Sequence, residues 1–241
     1  MIKVHSYESM GTYDGPGLRL VVFLQGCPFR CLYCANPDTI PFEGGEPTEA
    51  EDIVKRAVSQ KPFFGRRGGV TFSGGEPTAQ AKELAALVDR LHEEGINVCI
   101  DTNGGIWNPH VEELISKTDL VLLDCKQFND SRHEALTGRS NTQTLKTARW
   151  LEDNGKPFWL RYVLVPGISD FEEDIRALGE HFRNFRMLQR VEILPYHTLG
   201  VHKYESLGQE YLLKDTKTNT PEQLDRAMKL FSEYFDCAVM N

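Results

Sequence analysis

The chain has 241 residues, of which 40% are hydrophobic and 26% charged, so it is long and apolar enough for one sizeable domain with a buried core. Its formal net charge is −8, from 27 Lys and Arg against 35 Asp and Glu, which argues against a broad nucleic-acid-binding surface. No apolar signal segment opens the chain, and no run has the length of a membrane span. These features predict a cytoplasmic protein that binds neither nucleic acid nor membrane, with its six cysteines as thiols or metal ligands.

The hydrophobic pattern predicts strands alternating with helices after a polar, turn-rich segment at residues 5–17. The predicted strands are residues 18–24, 69–73, 96–102, 119–124, 157–165 and 190–195, with a short terminal strand at 237–240. The predicted helices are residues 48–60, opened by a capping box, then 78–94, 109–117, two within 130–154, 170–185 and 220–234. This alternation predicts a parallel α/β sheet. Periodicity alone does not choose between a barrel and a doubly wound sheet.

Three of the six cysteines lie in one short loop after the first predicted strand. Cys27, Cys31 and Cys34 have the spacing C-x3-C-x2-C between Gly26 and Asn36. Three soft thiolates this close together suit one face of an iron–sulfur cube, whose fourth iron is then free to bind a group that is not protein. A structural zinc site needs a fourth Cys or His at suitable spacing, and a disulfide would leave an odd thiol. The loop therefore predicts a [4Fe-4S] cluster with three protein ligands.

The cysteine loop, with aromatic Tyr33 before its last cysteine, resembles the signature of the radical S-adenosylmethionine (SAM) enzymes. From His5 to its C-terminus the chain resembles the glycyl-radical activases. The lack of any cysteine between Cys34 and Val70 favours the type that activates pyruvate formate-lyase. The resemblance implies an incomplete (βα)6 barrel in a single domain, residues 1–241. It implies reductive cleavage of S-adenosyl-L-methionine and hydrogen abstraction from a backbone glycine of a partner enzyme, by a monomer that takes its electron from flavodoxin or ferredoxin.

The resemblance also implies which residues bind SAM. Gly74, Gly75 and Glu76 follow the second predicted strand and match the family motif that holds the methionine amino group, although alone they are equally typical of a tight strand-to-helix turn. The other implied SAM contacts are Tyr33, Cys34, Ala35, Asp124, Cys125, Lys126, Arg161 and His197. Ala35 stands where this subgroup often has histidine. Alternative interpretations are a solvated amine for Lys126 and an ordinary polar residue for His197, whereas a buried strand Arg161 predicts a carboxylate partner.

Two further sites are implied by the resemblance. The first is a sodium or potassium ion held by Asp101, Thr102, the carbonyl of Leu122, and Asp124, for which hard oxygen ligands are suitable. Read alone, Asp101 before Asn-Gly is typical of an Asx turn or a helix N-cap. The second is Asp14, in the segment Asp-Gly-Pro-Gly before the first strand, which would accept hydrogen bonds from the glycine loop of the partner. Read alone, Asp14 is a simple turn residue.

The remaining cysteines, Cys99, Cys125 and Cys237, fall in strand-like patterns and read as small buried side chains. Three other functions compete with the leading one. They are activation of a different glycyl-radical enzyme, electron transfer through the same cluster, and a zinc-stabilised binding module. Electron transfer leaves no use for the Gly-Gly-Glu and Asp-x-Lys segments and His197, and zinc lacks its fourth ligand.

Overall fold

The computed structural model describes residues 1–241 and has the predicted alternation of strands and helices. The strands are β1 Ile2–Gly11, β2 Arg19–Leu24, β3 Glu46–Thr48, β4 Gly69–Gly74, β5 Asn97–Thr102, β6 Leu120–Asp124, β7 Phe158–Leu164, β8 Leu188–Pro195 and β9 Ala238–Met240. The helices are α1 Ala50–Phe64, α2 Ala81–Glu93, α3 Pro109–Lys117, α4 Asp130–Thr137, α5 Thr142–Asp153, α6 Glu172–Phe182, α7 Val201–Ser206 and α8 Pro221–Ser232. None of these helices combines the length and the apolar character needed to span a bilayer.

The chain divides into two compact units. The first contains residues 1–28 and 39–122, and the second contains residues 29–38 and 123–241. The cysteine loop therefore begins in the first unit and continues into the second, and β6 passes from one to the other after Leu122. Whether the whole chain forms a single domain stays a prediction.

In the first unit, β2, β4 and β5 are parallel neighbours. The pairing of β2 with β4 begins at Arg19 and Gly69, and the pairing of β4 with β5 begins at Gly69 and Asn97. Strand β1 runs antiparallel to β2 on the other side and pairs with the short β3. The apolar runs of β2 and β4 are buried, as expected for parallel strands covered on both faces. Helix α2 turns one apolar stripe inward, which includes Leu84, Leu87, Val88 and Leu91.

A fully buried arginine fixes the amino ends of these parallel strands. Arg19 is 0% exposed, and its guanidinium donates to Thr71 Oγ1 at 2.5 Å and to the Val70 carbonyl at 2.7 Å. It also donates to Asn97 Oδ1 at 3.0 Å, so one side chain links β2, β4 and β5. A buried charge is tolerated only when its donors are satisfied, and these bonds meet that requirement. The opposite, carboxyl ends of the same strands carry the predicted site residues.

In the second unit, β7, β8 and β9 are parallel neighbours. Tyr162 of β7 is fully buried, and the centre of its ring lies 5.5 Å from that of Phe231 in α8 at a tilt of 60°. Its hydroxyl donates to the Ser169 carbonyl at 2.7 Å. A separate apolar cluster includes Tyr33, Leu136, Val165, Tyr196, Tyr204 and Tyr211. Because Tyr33 belongs to this cluster, the cysteine loop is anchored to the core of the second unit.

The structure differs from the sequence prediction mainly near the N-terminus. The segment predicted as polar turns contains β1, whose register with β2 shifts twice. The predicted capping box is wrong: Thr48 lies in β3, and α1 begins after Glu49 without a side-chain cap. Helix α1 also continues through Pro62 to Phe64. The last helix, in contrast, does begin with a complete capping box, formed by Thr220 and Gln223.

Candidate active site

Gly74, the last residue of β4, and Gly75, which follows it, lie against the start of the cysteine loop. The Gly75 N–H donates to the Leu24 carbonyl at 2.8 Å, and the Glu76 N–H donates to the Gly26 carbonyl at 2.8 Å. A Cβ on Gly75 would lie 2.4 Å from the Gly26 oxygen, and one on Gly74, whose φ is 102°, would lie 2.4 Å from the Leu24 nitrogen. Both positions therefore require glycine because the two backbones pass so close to each other.

Glu76 is fully buried, and hydrogen bonds within the first unit occupy its carboxylate. Oε1 accepts from the Thr78 N–H at 3.0 Å and from the hydroxyls of Thr78 and Thr102, each at 2.6 Å. Oε2 accepts from the Asn103 N–H at 2.8 Å. Burial raises the pKa of Glu76, and these four hydrogen bonds oppose that shift. The carboxylate thereby fixes the end of β5 to the turn after β4.

Asn103, which the sequence interpretation passed over, contacts the first cysteine of the loop. Cys27 is buried, and its N–H donates to the Ile40 carbonyl at 3.0 Å. The amide Nδ2 of Asn103 lies 3.8 Å from Cys27 Sγ, within range of a hydrogen bond to sulfur. From the sequence, the Asn103-Gly104 dipeptide indicates only a turn. The turn centres on Asn103, whose Oδ1 accepts from the Gly105 N–H at 2.9 Å.

The two predicted cation ligands of β5 lie side by side but make different contacts. Asp101 is half-buried, and its Oδ2 accepts from the Ser73 hydroxyl at 2.8 Å. The Thr102 hydroxyl donates to Glu76 and accepts from the Gly104 N–H at 2.9 Å. Leu122 is a buried strand residue of β6. The Asx turn considered for Asp101 is therefore made by Asn103 instead.

In the second unit, the cysteine loop is held by α4. The Arg30 N–H donates to the Thr137 carbonyl at 2.7 Å, and the Leu32 N–H donates to the Leu136 carbonyl at 3.0 Å. These are carbonyls of the last helical turn, which has no helical partners for them. Gly138, at a φ of 74°, ends the helix there. The loop itself closes with a turn in which the Cys34 N–H donates to the Cys31 carbonyl at 3.1 Å.

The short helix α7, absent from the sequence prediction, holds the other side of the loop. The Tyr204 hydroxyl donates to the Cys34 carbonyl at 3.1 Å. Lys203 Nζ donates to Asn36 Oδ1 at 2.9 Å and to Asp38 Oδ1 at 3.1 Å. A Cβ on Gly200, which precedes α7, would lie 2.6 Å from the Ala35 oxygen. No periodic signal marks a six-residue helix, so only the structure shows these contacts.

The Asp-x-Lys segment places a paired cation beside the cysteine loop. Lys126 Nζ lies 2.6 Å from Asp124 Oδ2, with both side chains mostly buried, and 5.7 Å from the centre of the Tyr33 ring. Burial lowers the pKa of Lys126, but Asp124, Tyr33 and Cys31 together outweigh burial, and the pKa is raised. The surface-amine interpretation of Lys126 is therefore wrong. The Tyr33 hydroxyl is buried and has no hydrogen-bond partner in the chain.

The other predicted SAM contacts in this unit have distinct surroundings. Arg161 is buried in β7, and its Nε lies 3.3 Å from Glu192 Oε2 in β8, which confirms the predicted carboxylate partner. Cys125 is fully buried, and its N–H donates to the Arg161 carbonyl at 3.0 Å. His197 is exposed after β8, where its Nδ1 accepts from the Leu199 N–H at 3.4 Å.

Asp14 lies at the opposite end of β2 from the cysteine loop. Its carbonyl accepts from the Thr71 hydroxyl at 2.6 Å, next to the Arg19 guanidinium. Strand β2 has six residues, a length of roughly 20 Å. Within the first unit, the structure therefore does not bring Asp14 together with Gly75 or Cys27.

The residues present suit a [4Fe-4S] cluster by their donor set. Burial raises the pKa of the Cys31 thiol to about 12 and also raises that of Cys34, so a thiolate here needs a bound cation to offset its charge. The unpartnered Tyr33 hydroxyl leaves a polar atom for a ligand beside the loop. No group of three or more His, Cys, Asp or Glu side chains is gathered as around a single metal ion. The fit therefore rests on the three loop thiols.

Comparison with known proteins identifies the class. The Radical SAM superfamily model matches residues 21–179, which include the cysteine loop and the segments after β4, β5 and β6. The chain belongs to the radical SAM superfamily. It is therefore an α/β enzyme of this family, with a [4Fe-4S] cluster and S-adenosylmethionine as its cofactors.

The most informative relatives are similar over nearly their whole length. The pyruvate formate-lyase-activating enzyme of Streptococcus mutans is 46% identical over 235 residues, covering 94% of this chain and 89% of the relative. The pyruvate formate-lyase 1-activating enzyme of Escherichia coli K12 is 43% identical, covering 96% of each chain. Among solved structures, Streptococcus suis SuiB bound to its precursor peptide SuiA has a TM-score of 0.72 at 19% identity, covering 93% of this chain and 49% of SuiB. That likeness shows the shared fold.

Proposed function

We propose that this chain activates pyruvate formate-lyase by generating a glycyl radical on it. The observation that carries the proposal is the near-full-length similarity to two activating enzymes of pyruvate formate-lyase. When bound, the cluster and SAM supply one-electron chemistry that yields methionine and 5′-deoxyadenosine while a glycine of the partner loses a hydrogen atom. The chain supplies the binding groups, their orientation and the exclusion of water.

The residues of the second unit support this proposal by their charge and burial. Lys126 is a buried cation paired with a single carboxylate, and we assign it to the anionic end of SAM. The Tyr33 ring lies 5.7 Å from Lys126 Nζ, and its apolar face helps to keep water from this cation. Arg161 and His197 remain predicted SAM contacts. The ion pair with Glu192 holds the Arg161 side chain in place and links β7 to β8.

In the first unit, the hydrogen bonds of Glu76 support a function in positioning the glycine turn after β4. Four donors already surround the Glu76 carboxylate, so we propose that it acts on SAM through the main chain of Gly74 and Gly75. Its carboxylate oxygens fix the turn that carries these glycines. The remaining main-chain groups of that turn are then the predicted contacts for the methionine amino group.

The test is anaerobic activation of purified pyruvate formate-lyase. Reconstituted chain, SAM, a reductant and the lyase should give a glycyl-radical signal in electron paramagnetic resonance (EPR) spectra and one 5′-deoxyadenosine for each radical formed. A chain that reduces and reoxidises without cleaving SAM would instead be an electron-transfer protein. If SAM cleavage is coupled only to a different glycyl-radical enzyme, that enzyme is the partner instead of pyruvate formate-lyase, and the class of reaction is unchanged.

The finer assignments belong to the same proposal. None of the six cysteines forms a disulfide, which suits a reducing compartment such as the cytoplasm. We further propose that the chain is a monomer that takes its electron from flavodoxin or ferredoxin. A sodium or potassium ion held by Asp101, Thr102, Leu122 and Asp124 is supported by the carboxylates at the ends of β5 and β6. Exchanging sodium, potassium and caesium in the buffer should change SAM affinity. Equal affinity in all three would contradict the ion site.

The predicted contact of Asp14 with the partner's glycine loop has a separate test. A peptide that copies the glycine loop of pyruvate formate-lyase should support 5′-deoxyadenosine formation, and Asp14→Asn should weaken that turnover without changing SAM affinity. The position of Asp14 beside Arg19 and Thr71 gives the opposing interpretation, a turn residue that orders the start of β2. Full turnover in the variant would favour that interpretation.

A further inference from the structure

Asn103 is held in one orientation by two hydrogen bonds within the first unit. It follows β5 and is 6% exposed. Its main-chain N–H donates to Glu76 Oε2 at 2.8 Å, and its side-chain Oδ1 accepts from the Gly105 N–H at 2.9 Å. The second bond settles which amide atom is oxygen, because a backbone N–H needs an acceptor. The other amide atom must therefore be the NH2 group.

That NH2 group lies 3.8 Å from Cys27 Sγ. A neutral N–H donor at this distance draws electron density from a thiolate sulfur without adding a charge. Hydrogen bonds to the ligand sulfurs are among the features that set the reduction potential of an iron–sulfur cluster. Groups that bond to a metal ligand without touching the metal also hold the ligand in place.

We propose that Asn103 is a positioning residue for the cluster, whose side-chain N–H···S bond to Cys27 orients this ligand and raises the cluster's reduction potential. The proposal rests on the proposed function only in requiring the cluster. Glu76 and Thr102 take part indirectly, because their hydrogen bonds fix the main chain of Asn103 at the end of β5. The network that closes the turn after β4 thereby also holds the donor that faces Cys27.

Two substitutions remove the donor in different ways. Asn103→Asp keeps an oxygen for the Gly105 N–H and replaces the donor with a second oxygen. Asn103→Leu removes the donor without adding a charge, and it also removes the oxygen that accepts from the Gly105 N–H. The matched control is Asn108→Asp, at the exposed N-cap of α3, where Asn accepts from the His110 and Val111 N–H groups and Asp serves equally well. All three variants keep the main-chain N–H of residue 103 for Glu76.

The measurement is an EPR-monitored redox titration of each anaerobically reconstituted protein, with iron content and the thermal unfolding of the metal-free chain beside it. At a fixed solution potential, Asn103→Leu should lower the ratio of reduced to oxidised cluster about threefold, a shift of about 30 mV. Asn103→Asp should lower the same ratio about tenfold or more, a shift of about 60 mV, because the added negative charge acts in the same direction as the loss of the N–H donor. Asn108→Asp should leave the potential unchanged.

An unchanged potential in Asn103→Leu, with about four irons retained, would overturn the proposal even if Asn103→Asp shifts, because charge alone would then explain the shift. If only the unfolding temperature of the metal-free protein changes, Asn103 stabilises the turn after β5 and has no effect on the cluster. If Asn103→Leu does not fold, an unchanged potential in Asn103→Asp overturns the proposal by itself. Failure of the wild-type chain to assemble any cluster would contradict the proposed function first, so the two failures are distinguishable.

Discussion

The carboxylate network of Glu76 and the charged pair of Lys126 are both buried, yet they are built in opposite ways. Glu76 has four hydrogen-bond donors, two of them main-chain N–H groups, and no cation among them. Lys126 has one carboxylate at 2.6 Å and a tyrosine ring beside it. The first arrangement satisfies its carboxylate within the chain, whereas the second leaves an ammonium whose remaining donors are available.

The difference indicates which region stabilises the chain and which region binds a ligand. A buried carboxylate with four donors gains little from a further ligand, but losing it would leave those donors unsatisfied. A buried ammonium with a single partner gains from an added anionic group. We therefore expect changes around Glu76 to affect the stability of the chain and changes around Lys126 to affect ligand binding.

The largest effect expected in either region is loss of the cluster. Replacing Cys27, Cys31 or Cys34 with alanine should abolish iron binding, because three thiolates leave no spare ligand. Cys99→Ala and Cys237→Ser are the matched controls, and they should keep about four irons per chain after anaerobic reconstitution. Stoichiometric zinc without iron in the wild-type chain would contradict the assignment of the loop.

Lys126→Met should weaken SAM binding about 10- to 100-fold, because hydrogen bonds to charged groups contribute about 1.5–3 kcal/mol. The measurement is equilibrium binding of SAM to the reconstituted protein. Lys117→Met is the control, since Lys117 also pairs with carboxylates, Asp89 at 2.6 Å and Glu113 at 3.0 Å, but on the surface of α3. Equal weakening by both variants would show that general charge, not the buried position of Lys126, is responsible.

Glu76→Gln should destabilise the metal-free chain by about 1–3 kcal/mol, the usual cost of a buried donor left unsatisfied. The reason is geometric. The fixed N–H groups of Thr78 and Asn103 face different carboxylate oxygens, so either orientation of the glutamine amide points its NH2 at one of them. Urea unfolding measures the change, and Glu113→Gln on the surface is the control. An unchanged unfolding midpoint would show that the network adds nothing to stability.

The sequence predicted the regular elements well because hydrophobic runs and flanking turns are local signals. The strands containing Val70, Ile100 and Val121 were placed within about two residues of their observed bounds, which is ordinary for element ends. Strand β1 was missed because it has few apolar residues, and it is held by pairing with β2 and with β3, which lies much later in the chain. Tertiary pairing overrides weak local propensity in such a strand.

The predicted site residues have two sources. The spacing of the three cysteines predicts the cluster loop, whereas the SAM contacts at the Glu76 turn and at Lys126 are implied by the family resemblance and stay predictions. What the sequence lacked were contacts set by packing, such as Asn103 beside Cys27 and Tyr204 on the Cys34 carbonyl. Nor could it show that Glu76 is saturated with donors, because those come from Thr78, Thr102 and Asn103 only after folding.

The smallest expected effect concerns the helix that holds the cysteine loop. His133 of α4 is fully buried, its Nδ1 hydrogen-bonds the Arg139 carbonyl at 2.6 Å, and its ring meets Phe29 edge-on at 5.7 Å. Burial lowers the pKa of His133 below its ordinary 6.5. The Arg139 carbonyl and Asp130 oppose that shift, and Lys126 adds to it. The folded chain therefore binds this proton less readily than the unfolded chain does.

The sign follows from that difference. The contribution of neutral His133 to stability is complete above pH 6.5 and is lost as the pH falls through the lowered folded pKa, by at most about 1.4 kcal/mol per pH unit. His133→Gln removes the titration, so between pH 7.5 and 5.5 the wild-type chain should lose more free energy of unfolding than this variant. His181→Gln is the matched control, because burial also lowers the pKa of His181, which lies in α6 and not in the helix that holds the cysteine loop. Since α4 accepts hydrogen bonds from Arg30 and Leu32, acid should also speed iron loss from the wild type more than from His133→Gln. Parallel pH profiles for wild type and His133→Gln would show that the proton on His133 does not affect this helix.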